Sequence, residues 1–586
     1  MKKIWGYYLR PFYLRMAGGF AIKFLGTWMD LLLPWTLAHM IDTVIPAKEK
    51  GQILPWGIFM LGCSVLAVVF NVLANRMASQ VASSAIYVIR KDLFEKIMYL
   101  SNRQSDELTQ PSLISRLTSD TYNVHQMIGR MQRLGVRAPI LLIGGVAMTM
   151  MLDRVLSCVL LATLPFLTAV VLLVSRKSVP LFTGLQESTD RFVRLVREDI
   201  AGIRVIKALS KEGYEQERFD QANREVAKRE RKATMLAAVT NPSMNILLNM
   251  GLVAVVCVGA VQVDRGFSET GKILAFMTYF TIILNALLSI SRMFMVFSKA
   301  AASAGRIVEV LELEDERDLE RAKVGQGEKE TWHKGAGQRS LEQPSPHVEF
   351  ENVSFSYNGT SNNLENISFS LGRGEVLGII GATGSGKSTI AQLLMRFYDV
   401  DKGAIKIDGQ DLRSMDLQSL RTRFGVVLQN DMLFGGGIYE NIDMGRGLAN
   451  EQVWEAIGYA RAKGFVEEKG GLGAKLDIRG ANLSGGQRQR LLIARALAAG
   501  PDILILDDSS SALDYKTDAE LRKGLRERYP NTTCVVIAQR ISSVMGACHI
   551  LVLEDGKAVG YGTHRELMES CAIYREISQS QTGCGA

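Results

Sequence analysis

The chain has 586 residues, 47% hydrophobic and 22% charged, with a net charge of +8 from 68 Lys+Arg against 60 Asp+Glu. These values exclude a disordered tail and a disulfide mini-protein. The mean hydropathy of +0.09 averages two unlike halves, because the long uncharged apolar runs end near Ser291 and the remainder has the composition of a soluble α/β protein.

A bilayer crossing needs about 20 mostly apolar residues, since backbone groups in hydrocarbon must be satisfied within the helix. Runs at 17–41, 53–75, 138–152, 155–174, 233–263 and 273–291 are read as crossings, the first with Lys23, Asp30 and His39 inside it. The pattern predicts six spans. Lys and Arg number nine over 76–137 and fourteen over 176–232, against five in 42–52, 153–154 and 264–272 together. By the positive-inside rule, both termini and both long connections are expected in the cytoplasm and the spans in the inner or plasma membrane. Lys2 and Lys3 are followed by no short apolar core with a cleavage site, so no removable signal is expected. The positive charge reads as topology and not as a nucleic-acid patch. The seven cysteines include no CxxC pair, which argues against zinc and against a disulfide framework.

The two long connections are rich in helix formers and too long for plain loops. They read as membrane helices continuing into the cytosol, turning at 111–120 (PSLISRLTSD) and 202–210 (GIRVIKALS), where each turn can press on a second domain. A polar stretch at 311–346 reads as a linker between a membrane domain at 1–310 and a second domain at 347–581.

The second domain opens with an apolar strand at 375–380 (EVLGII), a loop at 381–389 (GATGSGKST) and a helix at 390–398. This is the context in which GxxxxGK[ST] binds phosphate. Gly381, Gly384 and Gly386 let the backbone curl, so that N–H groups along Thr383, Ser385 and Thr389 point at phosphate oxygens with the helix dipole behind them. Lys387 is expected to reach the β and γ phosphates of ATP and Ser388 to place its hydroxyl on Mg²⁺. The strand 502–506 (DILIL) ends in Asp507 and Asp508, as expected of a carboxylate that holds the same ion.

Between these motifs lies LSGGQ at 483–487, followed by RQRLLIARAL. With it, nearly the whole chain resembles an ATP-binding cassette (ABC) exporter half-transporter of multidrug-resistance type. The fold class implied is an α-helical six-span domain of the type IV exporter fold, fused to an α/β P-loop nucleotide-binding domain. The resemblance makes Tyr357 (VSFSY) the aromatic on which adenine stacks and Gln429 (VVLQN) the glutamine that senses Mg²⁺ and the membrane domain. It makes 511–514 (SALD) the loop crossing between paired domains and the two turns coupling helices. ATP sites in that family are shared between two cassettes, so Ser484, Gly485, Gly486 and Gln487 would complete the site of a partner.

Two departures stand out. The family's catalytic base is a Glu directly after the strand Asp, where this chain has Asp508; its switch His is here Gln539 (VIAQR). Asp is shorter by about 1.5 Å, and a displacement near 1 Å can cost about a hundredfold in rate. Gln539 can hydrogen-bond the γ-phosphate but cannot take up a proton or a positive charge there. A third departure replaces an acidic loop with LDIRG around Arg479. Slow or absent hydrolysis at this chain's own loop, beside an unblemished LSGGQ, implies a heterodimer with a non-identical half-transporter that supplies Glu and His. The expected function is ATP-driven export of an amphipathic or hydrophobic cargo (drug-like, lipid or peptide) by alternating access. A slow homodimer, an importer on the same fold, and a nucleotide-gated or regulatory membrane protein are the alternatives.

Inside the membrane, Asn241, Asn245 and Asn249 form a polar stripe on the fifth span and read mainly as interhelical contacts. Lys23 and Asp30 share a face of the first and carry more functional weight, either neutralising each other or meeting the partner. Phe276, Met277, Tyr279 and Phe280 suit an apolar cargo and equally suit packing. His125, His333, His347 and His549 have no partner pattern.

Overall fold

A computed structural model describes residues 3–48, 50–317, 346–359, 361–509 and 513–582. It divides into two compact units, Met1–Tyr99 with Leu108–Leu313, and Leu100–Glu107 with Glu314–Ala586.

The first unit is helical: α1 (Tyr13–His39), α2 (Lys50–Met98), α3 (Asn102–Leu108, assigned to the second unit), α4 (Gln110–Ser115), α5 (Thr121–Leu152), α6 (Arg154–Ala201), α7 (Ile203–Ala208), α8 (Glu212–Ala238), α9 (Thr240–Asp264) and α10 (Thr270–Glu312). Among the described residues six helices are long and apolar enough to cross a membrane, in register with the six predicted spans. At about 1.5 Å per residue, the 49 residues of α2 and 48 of α6 reach more than twice the thickness of the hydrocarbon core. The hairpin between α5 and α6 needs only Asp153, whose carboxylate accepts from the N–H groups of Val155 and Leu156 and satisfies donors that a helix start leaves open.

Small residues set the helix spacing. A Cβ on Gly26 of α1 would lie 3.0 Å from Phe70 of α2, and one on Gly145 of α5 would lie 2.8 Å from Ile283 of α10. Phe276, Tyr279 and Phe280 are buried in the bundle, and the Tyr279 hydroxyl donates to the Leu31 carbonyl at 2.5 Å. These aromatics of the sixth span are packing groups within the chain and not an open cargo surface. Lys23 and Asp30 do not pair with each other either: Lys23 donates to Asn75 and Asp30 pairs with Arg137. Asn245 and Asn249 are exposed on α9, and the Asn241 side chain lies outside the described set.

The first reversal of the chain falls at α3, ahead of the expected 111–120, which instead lies within a continuous helical stretch from Gln110 to Leu152. Thr109, at φ 60°, breaks the chain, and Pro111 sits in the first turn of α4, where its missing N–H costs nothing. Proline there starts a helix and does not turn one. Arg306 then clamps Asp120, and Arg116 pairs with Glu309 at 3.0 Å. The second reversal, α7, falls within 202–210.

The second unit is α/β. An antiparallel sheet has the order β2-β1-β4-β5, built from β1 (Val348–Phe355), β2 (Leu364–Leu371), β4 (Lys402–Ile407) and β5 (Gln410–Asp411). A six-stranded sheet has the order β12-β11-β3-β10-β9-β6, from β3 (Val376–Gly381), β6 (Phe424–Val427), β9 (Ile503–Asp507), β10 (Thr533–Ile537), β11 (His549–Glu554) and β12 (Lys557–Gly562), parallel except at β12. β7 (Gly436–Gly437) and β8 (Lys475–Leu476) form a short ribbon. The period-2 rule of strands divides the core: Ile503 and Ile505 of β9 face one hydrophobic layer with Ile379 and Ile390, while Leu504 and Leu506 face another with Leu491 and Leu492. Most of the linker predicted at 311–346 lies outside the described residues.

Candidate functional site

Because β10 lies between β3 and β9, three carboxyl-terminal strand ends meet at one edge, with Ile537 level with both Ile379 and Asp507. That edge is where parallel α/β sheets bind ligands. It gathers the loop after β3, Asp507 and Asp508 after β9, and Gln539 after β10.

The loop leads into α11 (Lys387–Leu394). Gly386 has φ 95°, and a Cβ there would sit 2.6 Å from Leu364 Cδ2 and 2.9 Å from the Asn363 carbonyl. Only glycine fits without strain. Gly386→Ala is therefore expected to distort the loop at a cost of about 1–2 kcal/mol and to weaken ATP binding about tenfold or more, as read by nucleotide titration. Lys387 Nζ donates to the carbonyls of Gly381 and Ala382 at 2.9 and 2.6 Å, which holds the ammonium over the loop. Burial pulls its pKa down, against the pull of Asp507 and Asp508. Thr383 and Gly384 are exposed, Thr389 is buried, and the Ser385 hydroxyl is buried without a partner.

Asp507 is 4% exposed. Burial pushes its carboxyl up, opposed by a hydrogen bond from Ser388 and by Lys387. Asp508 has φ 50°, a left-handed geometry that Asp tolerates better than most residues. Burial raises this carboxyl as well, while Arg540 and Lys387 lower it. Gln539 Nε2 donates to Asp508 Oδ2 at 3.3 Å. The two departures from the family pattern therefore touch each other: the amide at the switch position engages the carboxylate at the base position.

Ser484 caps α12 (Gly485–Leu497), its hydroxyl accepting from the Gln487 N–H while the Gln487 side chain accepts from the Ser484 N–H. A hydroxyl that accepts one bond keeps its own O–H to donate. Ser484 and Gly485 are exposed, Gly486 and Gln487 half-buried, and Arg479 sits nearby at φ 62°. Gln429 is exposed. Ser511 and Ala512 of the crossing loop lie outside the described residues.

Tyr357 is 39% exposed, and its hydroxyl lies 2.5 Å from Gln392 Oε1 and 3.3 Å from Thr389 Oγ1. Its ring meets Tyr398 edge-on at 5.1 Å, and the Tyr398 hydroxyl donates to Asp106 of α3 at 2.6 Å. Burial and the Asp106 carboxylate both raise the pKa of Tyr398. Sequence reasoning missed Tyr398 and Asp106, because neither lies in a motif and 292 positions separate them. Tyr398→Phe removes that bond. The expected result is about fivefold faster amide exchange over 100–108, matching about 1 kcal/mol, with nucleotide affinity kept within about twofold.

Two family models match: "ABC transporter transmembrane region" over residues 16–287 and "ABC transporter" over 364–511. The chain is 34% identical over 580 residues to the uncharacterized ABC transporter ATP-binding protein YfiB of Bacillus subtilis, covering 98% of each chain. It is 32% identical over 580 residues to the uncharacterized ABC transporter ATP-binding protein Rv1273c of Mycobacterium tuberculosis, covering 98% of this chain and 97% of that one. Its fold is similar to the structure of a bacterial Atm1-family ABC exporter with ATP bound, with a TM-score of 0.79, 23% identity, and coverage of 98% and 99%. The chain belongs to the ABC transporter family, as a half-transporter with an exporter-type fold in which six candidate membrane helices are joined to an ATP-binding domain of the ATP-hydrolysing transporter class.

Proposed function

We propose that this chain is the degenerate-site subunit of a heterodimeric exporter that moves an amphipathic or hydrophobic cargo outward by alternating access. The observation that carries this reading is the Gln539 to Asp508 hydrogen bond beside an intact LSGGQ whose Ser484 and Gly485 are exposed. In a self-pair both sites would hold the shortened, amide-engaged carboxylate. In a mixed pair Ser484, Gly485 and Gly486 serve the partner's ATP, where a Glu and a His complete the chemistry.

In that reading Tyr357 stacks on adenine, a contact worth about 1–3 kcal/mol. Lys387 exchanges its loop carbonyls for β and γ phosphate oxygens. The Ser388 hydroxyl and Asp507 carboxylate, already bonded to each other, are the hard oxygen donors that Mg²⁺ prefers, with Gln429 adding an amide oxygen. When bound, the ion neutralises charge on the phosphate oxygens. Ser484 Oγ and the N–H groups at the start of α12 meet the γ-phosphate of the ATP held by the partner's loop, so closure of the two cassettes follows nucleotide binding. Hydrolysis at the competent site then releases the clamp. Both termini and the cassette lie in the cytoplasm.

A slow homodimer is the second reading, favoured by the burial that raises the Asp508 carboxyl and with it its strength as a base. Vesicles test direction: ATP drives accumulation of a lipophilic fluorescent dye in inside-out vesicles of cells making both subunits. Uptake only into right-side-out vesicles overturns export, and nucleotide binding without dye-stimulated turnover favours a regulatory protein.

A further inference from the structure

Helices α1, α2 and α5 hold a polar cluster deep in the membrane unit. Arg137 donates to Asp30 Oδ2 at 2.9 Å, and Asn71 Nδ2 lies 3.5 Å from the same oxygen. Lys23, 3% exposed, donates to Asn75 at 3.1 Å. Arg133 folds back on its own helix, its Nε donating to the Gly129 carbonyl at 3.0 Å. Lys23 is close enough to Asp30, Arg133 and Arg137 to interact with all three electrostatically. Among the described residues, Asp30 is the only acidic group in the cluster and no carboxylate pairs with Lys23 or Arg133.

Depth follows from helix rise. Arg137 stands 15 residues before Leu152, the end of α5, which is about 22 Å of helix, and Arg133 stands one turn farther, at about 28 Å. In a hydrocarbon core of about 30 Å the Asp30–Arg137 pair lies about three quarters of the way across, toward the side of the long connections, and Arg133 lies at that edge. The pair is not sealed in: the Arg137 side chain is 40% exposed and that of Asp30 22%. Arg137 Nε and Asn71 Oδ1 are buried with no partner. Three cations against one carboxylate leave an excess of two positive charges. Lipid tails cannot neutralise that excess, so these groups need an anion.

We infer that the Lys23–Arg133–Arg137 cluster binds the carboxylate or phosphate head of the transported amphiphile, with Asp30 limiting the charge. The inference rests on the export reading for the word "transported" and on this cluster alone for the binding.

Binding to the purified full-length transporter in phosphatidylcholine nanodiscs, without ATP, tests it with dodecyl phosphate, dodecanol and dodecyltrimethylammonium as probes. The expected result is that dodecyl phosphate binds about tenfold or more tightly than dodecanol, the span of one charge-assisted hydrogen bond. Arg133→Gln with Arg137→Gln removes that preference, Arg137→Lys keeps most of it, and Asp30→Asn strengthens it. Inorganic phosphate fails to displace the probe. Equal binding of phosphate and alcohol, as when a partner carboxylate neutralises the cluster, overturns the inference, and so does a preference for the cation. Displacement by inorganic phosphate overturns the amphiphile as ligand. If the double variant does not fold, an unchanged preference in Asp30→Asn is the overturning result. Vesicle uptake that fails while anion preference holds overturns export alone, and ATP-driven uptake that persists without anion preference overturns this inference alone.

Discussion

Ser484→Arg in this chain lowers ATP turnover of the assembled transporter by about a hundredfold or more, while Asp508→Ala changes it less than about threefold. The contrast comes from where each residue acts. In the proposed pair Ser484, exposed at the start of α12 with its O–H free to donate, serves the γ-phosphate bound by the other subunit. Loss of one such preorganised donor costs about 10²–10³ in rate, and a guanidinium there also blocks closure. Asp508 in the same proposal belongs to the ATP on this chain's own loop, the site expected to contribute little turnover. Steady-state phosphate release by the co-purified pair measures both, and comparable losses from the two variants contradict the asymmetric account.

The converse change is a gain. Asp508→Glu combined with Gln539→His is expected to raise hydrolysis at this chain's own site about a hundredfold, read in a pair whose other catalytic Glu is replaced by Gln. The added methylene recovers about 1.5 Å of reach, and misplacement on that scale accounts for about two orders of magnitude. The His also removes the Gln539 amide from the carboxylate it now engages at 3.3 Å. Either single change is expected to give less, because the two side chains touch and contacting residues do not act additively. A double variant no faster than the parent contradicts the assignment of these two residues as the cause of slow turnover.

The legible parts of this protein are those where local sequence dictates local geometry. Apolar runs marked the six spans because a membrane permits little else. GATGSGKST after EVLGII marked the loop because Gly386 occupies a conformation and a space that other residues cannot share. DILIL alternates between two cores, so its terminal Asp507 had to emerge at the strand end. Contacts across the fold were not legible. Asp508 and Gln539 meet only because β10 lies next to β9. Arg137 flanks the apolar run that begins at Ala138 and so reads as an edge charge, yet α5 continues 16 residues before it and its partner Asp30 is 107 positions away. The spacing of Arg130, Arg133 and Arg137 at steps of three and four was the one available signal. Pro111 misled because the same residue suits a turn and a helix start. The aromatics of the sixth span fitted cargo and core equally, and the Tyr279 to Leu31 bond places that ring in the core.

The Tyr357–Tyr398–Asp106 line gives the proposed adenine-stacking residue a direct tie to α3, a segment of the long connection after α2 that groups with the cassette. It is a positioning contact, which is why its expected signature is local exchange at α3 and not loss of ATP affinity.

The most direct test is ATP turnover by this chain purified to homogeneity in lipid nanodiscs with no second polypeptide. The account predicts stable ATP binding with phosphate release about a hundredfold slower than that of the co-purified pair. Release at the pair's rate from the single polypeptide contradicts it.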